Sequence, residues 1–514
     1  MLIIHCPDDP HSRYSHFLVE ILRSEGYADL EPTTLSAINA DALARHDLVV
    51  LPRCTLEWEQ IDLLSSYVAN GGVLLACQPD YQLARRFGLE PTFGGSTSGR
   101  MTINTALPAL ASLCAEPIDV VVPTLHFRIG ENTNATPLAT HTDAGGDLGA
   151  IHTALVVQHG EGTALLLTYD LPYAVARLRQ GNPENADLGL AYADAAARPN
   201  ELFVGQLDPD QLHLPQADIH TALLARMIDT LAPRPRLWYY PVPAQQSAVL
   251  MTSDEDWSTL EQWQSLIAGL RKRKAQCTFF MVANSRIEKR WVDEWEQEGH
   301  VFSVHPAHPA DYNRDLPKPP HHRQFMAQML RENVARHQEE YKRPVNTIRQ
   351  HSVRWIGYTE CAQIEADLGV TMDCNYLSVK PYFAGFMAGS GRALRFVNAD
   401  GGMIPCYQLS AQWTEECLIH EGMSFSLRLP VDTAIARVQQ YVSEAATCFY
   451  TPICFNSHPV SYATYSAPLT DGVLDQAVEM GVPIVSADAW LAWTQARDGI
   501  TLQQVGDGYT LTSP

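Results

Sequence analysis

Three acidic residues, Asp254, Glu255 and Asp256, follow almost directly on the apolar run Ala248-Val249-Leu250-Met251-Thr252. Carboxylates so close together at the end of a buried strand repel one another, and each is costly to desolvate unless a cation or a proton is shared among them. Two readings fit the cluster: a metal site, or the N-cap of a helix over residues 257–270, with Ser253 or Asp254 as the capping side chain. Imidazoles follow in order along the chain. A second apolar run, Cys277-Thr278-Phe279-Phe280-Met281-Val282, precedes a third that ends in His305-Pro306-Ala307-His308. Arg349 and His351 then stand within residues 347–355, and His458 closes the run Pro452-Ile453-Cys454-Phe455-Asn456-Ser457.

In this order, the features resemble the five motifs of the polysaccharide deacetylase family, carbohydrate esterase family 4, over about 250 residues. The resemblance implies a distorted (β/α) barrel and hydrolysis of an N-acetyl or related amide, with an amino sugar or glycan as substrate. Thr252-Ser253-Asp254-Glu255-Asp256 matches the first motif, which makes Asp254 the general base. Asp256 is then the metal-binding acid, since strand alternation puts it on the same side as Asp254; Glu255 is the alternative. The second motif normally spaces its two His ligands four apart, whereas His305 and His308 are three apart. Residues three apart share a helix face, but Pro306 and Pro309 interrupt a regular helix. The second ligand is therefore His308 or a residue outside the motif, such as Asp311 or His322.

The third motif supplies an arginine that orients the base, and Arg349 takes that place. His351 stands where the family has proline, as a further ligand, a substrate contact or a packed ring. Asp373-Cys374-Asn375-Tyr376 occupies the place of the fourth motif. Trp355, His351, Tyr376 and Trp413 are the substrate-binding candidates, with Gln412 and Tyr382 in the long insertion over residues 379–427. His458 matches the fifth motif, as the general acid that protonates the leaving amine. The implied cofactor is a divalent metal, zinc first, with cobalt, manganese or nickel as alternatives. Two other functions compete: a catalytically impaired barrel that binds carbohydrate or peptide, and an assembly scaffold with a deacetylase-like barrel.

These residues need a scaffold, and the chain reads as α/β throughout. Residues 1–235 alternate short β-rich runs with helical periodicity, which predicts βαβ units and a parallel sheet. The stretch from His46 to Asp80 resembles the class I glutamine amidotransferase-like fold, a flavodoxin-like parallel sheet. Cys77 lacks the nucleophile's tight elbow and reads as a buried structural thiol, so the module is expected to be non-catalytic. Pro233-Arg234-Pro235 and Pro241-Val242-Pro243 flank a linker over residues 236–247. The barrel is assigned to residues 248–498 and a C-terminal tail to 499–514.

Composition sets the outer bounds. At 514 residues, with 46% apolar and 18% charged residues, the chain has core material for two or three domains. A net charge of −22 disfavours nucleic acid and anionic lipid, both of which need clustered Lys and Arg. Eleven cysteines occur singly without CxxC pairs, the pattern of reduced cytoplasmic thiols. No signal peptide or transmembrane segment is visible, so the expected location is the cytoplasm. The expected partners are a small-molecule or glycan substrate and a second copy of the chain, met through the N-terminal domain.

Overall fold

The computed structural model describes residues 1–142, 151–190, 196–313, 315–317, 320–378, 391–506 and 508–513. The N-terminal half is built on a nine-stranded mixed sheet. Five strands run parallel, in the order Glu31–Thr34, Leu2–His5, Leu48–Leu51, Val73–Cys77 and Gly162–Leu167. Leu2–His5 and Leu48–Leu51 are buried at every position, as short apolar strands must be when a sheet is covered on both faces. Antiparallel strands His152–His159, Ala135–His141, Gly99–Ile103 and Ile118–Val120 extend the sheet at one edge. Helix Trp58–Ala69 starts at a Glu57/Gln60 capping box and ends where Gly71 takes φ +102°, a conformation that favours glycine. Cys77 is fully buried, and burial pushes its thiol pKa far up.

The second half carries a curled, half-barrel sheet. Parallel strands Met372–Asp373, Thr347–Ile348, Val301–Val304, Thr278–Met281, Val249–Asp254, Ile453–Ser457 and Trp413–Thr414 follow one another across it. Ile484–Ser486 pairs with the lower part of Val249–Asp254. A single parallel bridge between Leu377 and Ala411 joins the two flanks. Stacked and tilted rings of Trp263, Phe279, Trp295 and Phe302 pack together in the layer between sheet and outer helices. Because the strands are parallel, the segments that follow them converge at one end of the curl, where an α/β protein places its chemistry.

The long insertion over residues 379–427 divides its roles: Thr414, Glu416, Cys417, Met423 and Phe425 line the cleft, while its earlier part packs on the N-terminal half. Residues 379–390, including Tyr382, lie outside the described residues. Leu394–Val397 and Met403–Gln408 form an antiparallel pair at the sheet edge, and Leu394 and Val397 join the hydrophobic core of the N-terminal half. Gln180 accepts from Val397 N at 3.0 Å and donates to Val397 O at 2.8 Å, Arg179 donates to Arg392 O at 2.7 Å, and Arg392 pairs with Glu25 at 2.7 Å. The two halves are therefore locked by buried polar contacts. Residues 499–514, expected as a tail, contain the hairpin Thr501–Val505 with Gly508–Thr512.

Burial leaves a titration signature in the N-terminal half. His220 is fully buried between Tyr169 Oη (2.8 Å) and Asp119 O (2.9 Å), and burial pushes its pKa down to about 4. A base whose folded pKa lies below its unfolded value binds protons more tightly when unfolded. Its stabilising contribution is complete above pH ~6.5 and is lost as pH falls towards ~4, on the order of 3 kcal/mol in full. Urea unfolding across this range should show stability falling with acid, and His220→Gln should flatten the slope; an unchanged slope would exclude His220 as a source.

Candidate active site

Asp254 is the last residue of its strand, and the register that pairs Thr252 with Asn456 and Ser253 with Ser457 brings Thr252, Asp254 and Asn456 together. Arg349, the residue after Thr347–Ile348, reaches them from across the curl. Its Nη1 donates to Asp254 Oδ1 at 3.2 Å, to Thr252 Oγ1 at 2.9 Å and to Asn456 Oδ1. Its Nε donates to Cys374 O at 2.7 Å, and the guanidinium lies over the Phe280 ring at 5.1 Å. Asn456 Nδ2 donates to Asp254 Oδ2 at 3.1 Å. Both carboxylate oxygens of Asp254 are thus fixed by groups that are themselves completely buried. Such an arrangement resists rotation, because turning the carboxylate away would leave a buried guanidinium without its counter-charge.

His458 faces this clamp. Its Nδ1 and its backbone N–H both meet Glu415 Oε1 at 2.8 Å, which places the other ring nitrogen towards the acids, 3.8 Å from Asp254 Oδ2 and 3.9 Å from Asp256 Oδ2. Burial pushes the His458 pKa down, but Glu416 and Glu415 outweigh it and hold the ring well above its ordinary value. An imidazole held protonated beside a cleft, with its orientation fixed by a carboxylate, is equipped to donate a proton.

Asp256 reaches the same space by a sharp reversal of the chain. Asp256 and Trp257 have φ +46° and +55°, two successive non-glycine residues in the left-handed region, a strain of about 1–3 kcal/mol each. The reversal places Asp256 Oδ1 3.3 Å from His305 Nε2. His305 Nδ1 meets Arg349 O at 2.7 Å, so Nδ1 carries the hydrogen and Nε2 is turned to Asp256; burial pushes the ring's pKa down, but Asp254 and Asp256 outweigh it and raise it above its ordinary value. Asp256 Oδ1 is buried with no hydrogen-bond partner. A ring nitrogen and a carboxylate oxygen meet here, and a cation or a proton must lie between them. Burial pushes Asp256 up, yet His305, His351 and His458 outweigh it and hold it well below the usual carboxylate range. Among the described residues, Asp256, Glu416 and His458 also form a group whose ligand atoms all lie within 4.8 Å of one another.

His351 joins the cluster from the Arg349 loop, its ring 5.6 Å from that of His305 and its Nδ1 3.2 Å from Asp311 Oδ2. Asp311 is further occupied by a two-pronged pair with Arg354 at 2.5 and 2.9 Å. The cleft has a volume of about 160 Å³ and is walled by Gln350, His351, Leu377, Met423 and Phe425 beside the charged residues. Trp257 and the exposed Tyr312 sit ring to ring, 5.2 Å apart, and Trp257 also meets His351.

Several expected site residues lie elsewhere. His308 accepts from Ala310 N at 3.1 Å and packs on Phe325; its side chain caps the short helix Pro309–Asp311 and does not line the cleft. His322 likewise caps helix Arg323–Tyr341. Glu255 points away from Asp254, accepting from Val282 N at 2.9 Å and from Ser285 Oγ, and burial raises its pKa to about 8. Trp355, Tyr376 and Trp413 are core residues: Trp355 bonds Tyr358 O and packs on Tyr376, while Trp413 stacks on Tyr441 at 4.8 Å. Gln412 is buried and bonds only backbone, at Ser410 O and Cys454 N. Sequence reading did not single out Asn456, Glu415 and Glu416. The signal for the two acids was present in Thr414-Glu415-Glu416, a pair of carboxylates at the end of a short strand.

No protein-family model matches the chain, and no curated protein matches it. Solved structures with some likeness include Agd3, a carbohydrate deacetylase, at 10% identity over 100% of this chain and 91% of that one, with a TM-score of 0.42. A polysaccharide deacetylase structure from Mycobacterium smegmatis aligns at 12% identity over 53% of this chain and 98% of that one, TM-score 0.38. A mutant CE4-family pseudoenzyme with restored activity aligns at 13% over 49% and 69%, TM-score 0.29.

The clamp makes a stability prediction independent of any activity. Arg349→Met should destabilise the fold by about 3–5 kcal/mol by leaving Asp254 buried and unpaired. The double variant with Asp254→Asn should recover much of that loss in urea unfolding. A single-variant loss below ~1 kcal/mol would contradict the pairing.

Proposed function

We propose that this chain is a metal-dependent hydrolase that removes an acetyl or related acyl group from an amide nitrogen of an amino sugar or glycan. The observation that carries the reading is the opposition of two fixed groups across one cleft: Asp254, held by Arg349 and Asn456, and His458, held by Glu415. A fixed base facing a fixed acid is the arrangement that adding water to an acyl carbon and expelling an amine requires. The resemblance of the ordered motifs to the polysaccharide deacetylases supports the choice of an N-acyl substrate.

The donor set fits a divalent cation, zinc first. Asp256 and His305 would hold it, because Asp256 Oδ1, a buried oxygen without a hydrogen-bond partner of good geometry, lies 3.3 Å from His305 Nε2; Glu416, grouped with Asp256 and His458, is a candidate further donor. When bound, such an ion supplies Lewis acidity to the acyl oxygen and lowers the pKa of water. The chain's own residues do the rest. Asp254 takes the proton of the attacking water, while Arg349 and Asn456 keep its carboxylate aimed. His458 gives its Nε2 proton to the departing nitrogen, so the products are a free amine and a carboxylic acid. Glu415 keeps the His458 ring in the donating orientation. Trp257 and Tyr312 form an aromatic rim suited to the apolar face of a sugar ring.

Acetate release from an N-acetylglucosamine oligomer by the zinc-supplemented protein tests this reading. Asp254→Asn should lower kcat by about 100- to 10,000-fold with little change in KM, and a chelator should abolish turnover. In calorimetry, Asp256→Ala and His305→Ala should lose zinc binding while His308→Ala retains it. Zinc binding that survives both substitutions would overturn the ligand assignment, and absence of acetate release from a zinc-loaded protein would overturn the reaction.

A further inference from the structure

Behind the cleft wall lies a second acidic pair that the proposed reaction does not use. Glu365, on helix Glu360–Asp367, and Asp373, at the end of strand Met372–Asp373, are both completely buried and adjoin each other through their carboxyls. The side-chain donors bonded to them are amides. Asn375 Nδ2 reaches Glu365 Oε1 at 3.3 Å and also Asp373 Oδ2, Asn375 N donates to Asp373 Oδ1 at 3.1 Å, and Gln350 Nε2 donates to Glu365 Oε1 at 3.3 Å. Glu365 Oε2 is buried with no donor. Two buried carboxyls bridged by a neutral amide, with no cation between them among the described residues, cannot both stay ionised; one proton shared between them satisfies both.

The amides around the pair lead to the site. Gln350 lines the cleft, and its backbone N–H donates to Asn375 Oδ1 at 2.7 Å. The residue before Asn375 supplies the carbonyl that receives Arg349 Nε. Arg349, Gln350 and His351 are thus fastened, through Asn375 and Gln350, to a pair of carboxyls lying outside the cleft. We propose that Glu365 and Asp373 hold a single proton between them and position the 349–351 loop, and with it Arg349 and His351, for the reaction. They are positioning residues, not catalytic ones, and their catalytic consequence rests on the function proposed above. The other titratable groups facing the pair are Arg349, Cys361, Cys374, Cys406 and Tyr376.

Burial raises both carboxyls, so the folded protein holds a proton that the unfolded chain releases in mild acid. The linked stability is complete below the unfolded carboxylate pKa and declines as pH rises through the pair's own range. Glu365→Gln keeps a neutral hydrogen-bonding partner at this position and removes the shared proton, whereas Glu365→Ala removes both.

Two readouts on the full-length protein need no substrate. Infrared difference spectra at neutral pH should show a protonated carboxyl C=O band in the wild type that is lost in both Glu365→Gln and Asp373→Asn. Hydrogen exchange over residues 347–356 should be unchanged in Glu365→Gln and at least about tenfold faster in Glu365→Ala. With the N-acetylglucosamine oligomer, the wild type's kcat should decline as pH rises through the pair's range; Glu365→Gln should keep kcat within about threefold at neutral pH and lose that decline, and Glu365→Ala should lose at least about tenfold in kcat with KM little changed. A wild type lacking the band, or a band that persists in both variants, would overturn the shared proton. Unchanged exchange in Glu365→Ala would overturn the positioning role. A protein that shows both signatures yet releases no acetate would contradict the proposed function and leave the carboxyl pair standing.

Discussion

A guanidinium buried completely inside the half-barrel sets the terms for everything around it. Arg349 cannot be hydrated where it sits, so Nε and Nη1 are given to acceptors: Asp254 for charge, and Thr252, Asn456 and Cys374 O for hydrogen bonds. Those acceptors come from three different strands or their ends, and the parallel register aligns them. Asp254 in turn is a carboxylate whose position is fixed from two sides. The residues that face it, His458 and Asp256, are held by separate devices, a carboxylate behind the ring and a strained backbone reversal. Each device fixes one group, and the cleft is what they leave between them.

The order and strand-end placement of the key side chains were legible in the sequence because they follow short apolar runs, and such runs end where parallel strands deliver their chemistry. Asp254, His305, Arg349 and His458 all follow that rule. Alternation predicted Asp256 on the side of Asp254, and both line the cleft, but the strand ends at Asp254 and the reversal beyond it places Asp256 there. Backbone direction after the strand was not legible: the left-handed turn at Asp256 and Trp257 has no glycine to announce it. His308 illustrates a similar limit. Its spacing from His305 suited a ligand pair, but Pro306 and Pro309 extend the chain, and the ring is spent on capping the turn that follows. The aromatic residues Trp355, Tyr376 and Trp413 were indistinguishable from groove residues because core and groove draw on the same side chains.

At domain level, alternation marked both sheets, and the proline-rich segment marked the passage between them. What could not be read was how firmly the halves are joined. The residues that join them, Glu25, Arg179, Gln180, Arg392 and Val397, are far apart in sequence, and no local pattern distinguishes a buried interface arginine from a surface one. Within the long insertion, strands Leu394–Val397 and Met403–Gln408 serve this junction, while Thr414, Glu416, Cys417, Met423 and Phe425 reach the cleft. Among the described residues, no helix is long and apolar enough to cross a membrane.

The account stands on the claim that Asp256 and His305 share a cation beside the Arg349-held carboxylate. An anomalous difference map from crystals of the full-length protein grown with zinc tests it most directly. The predicted result is one strong peak bonded to Asp256 and His305 Nε2, within reach of Glu416, with His308 and Glu255 uninvolved. A peak at His308, or no peak among Asp256, His305 and Glu416 at saturating zinc, would contradict it.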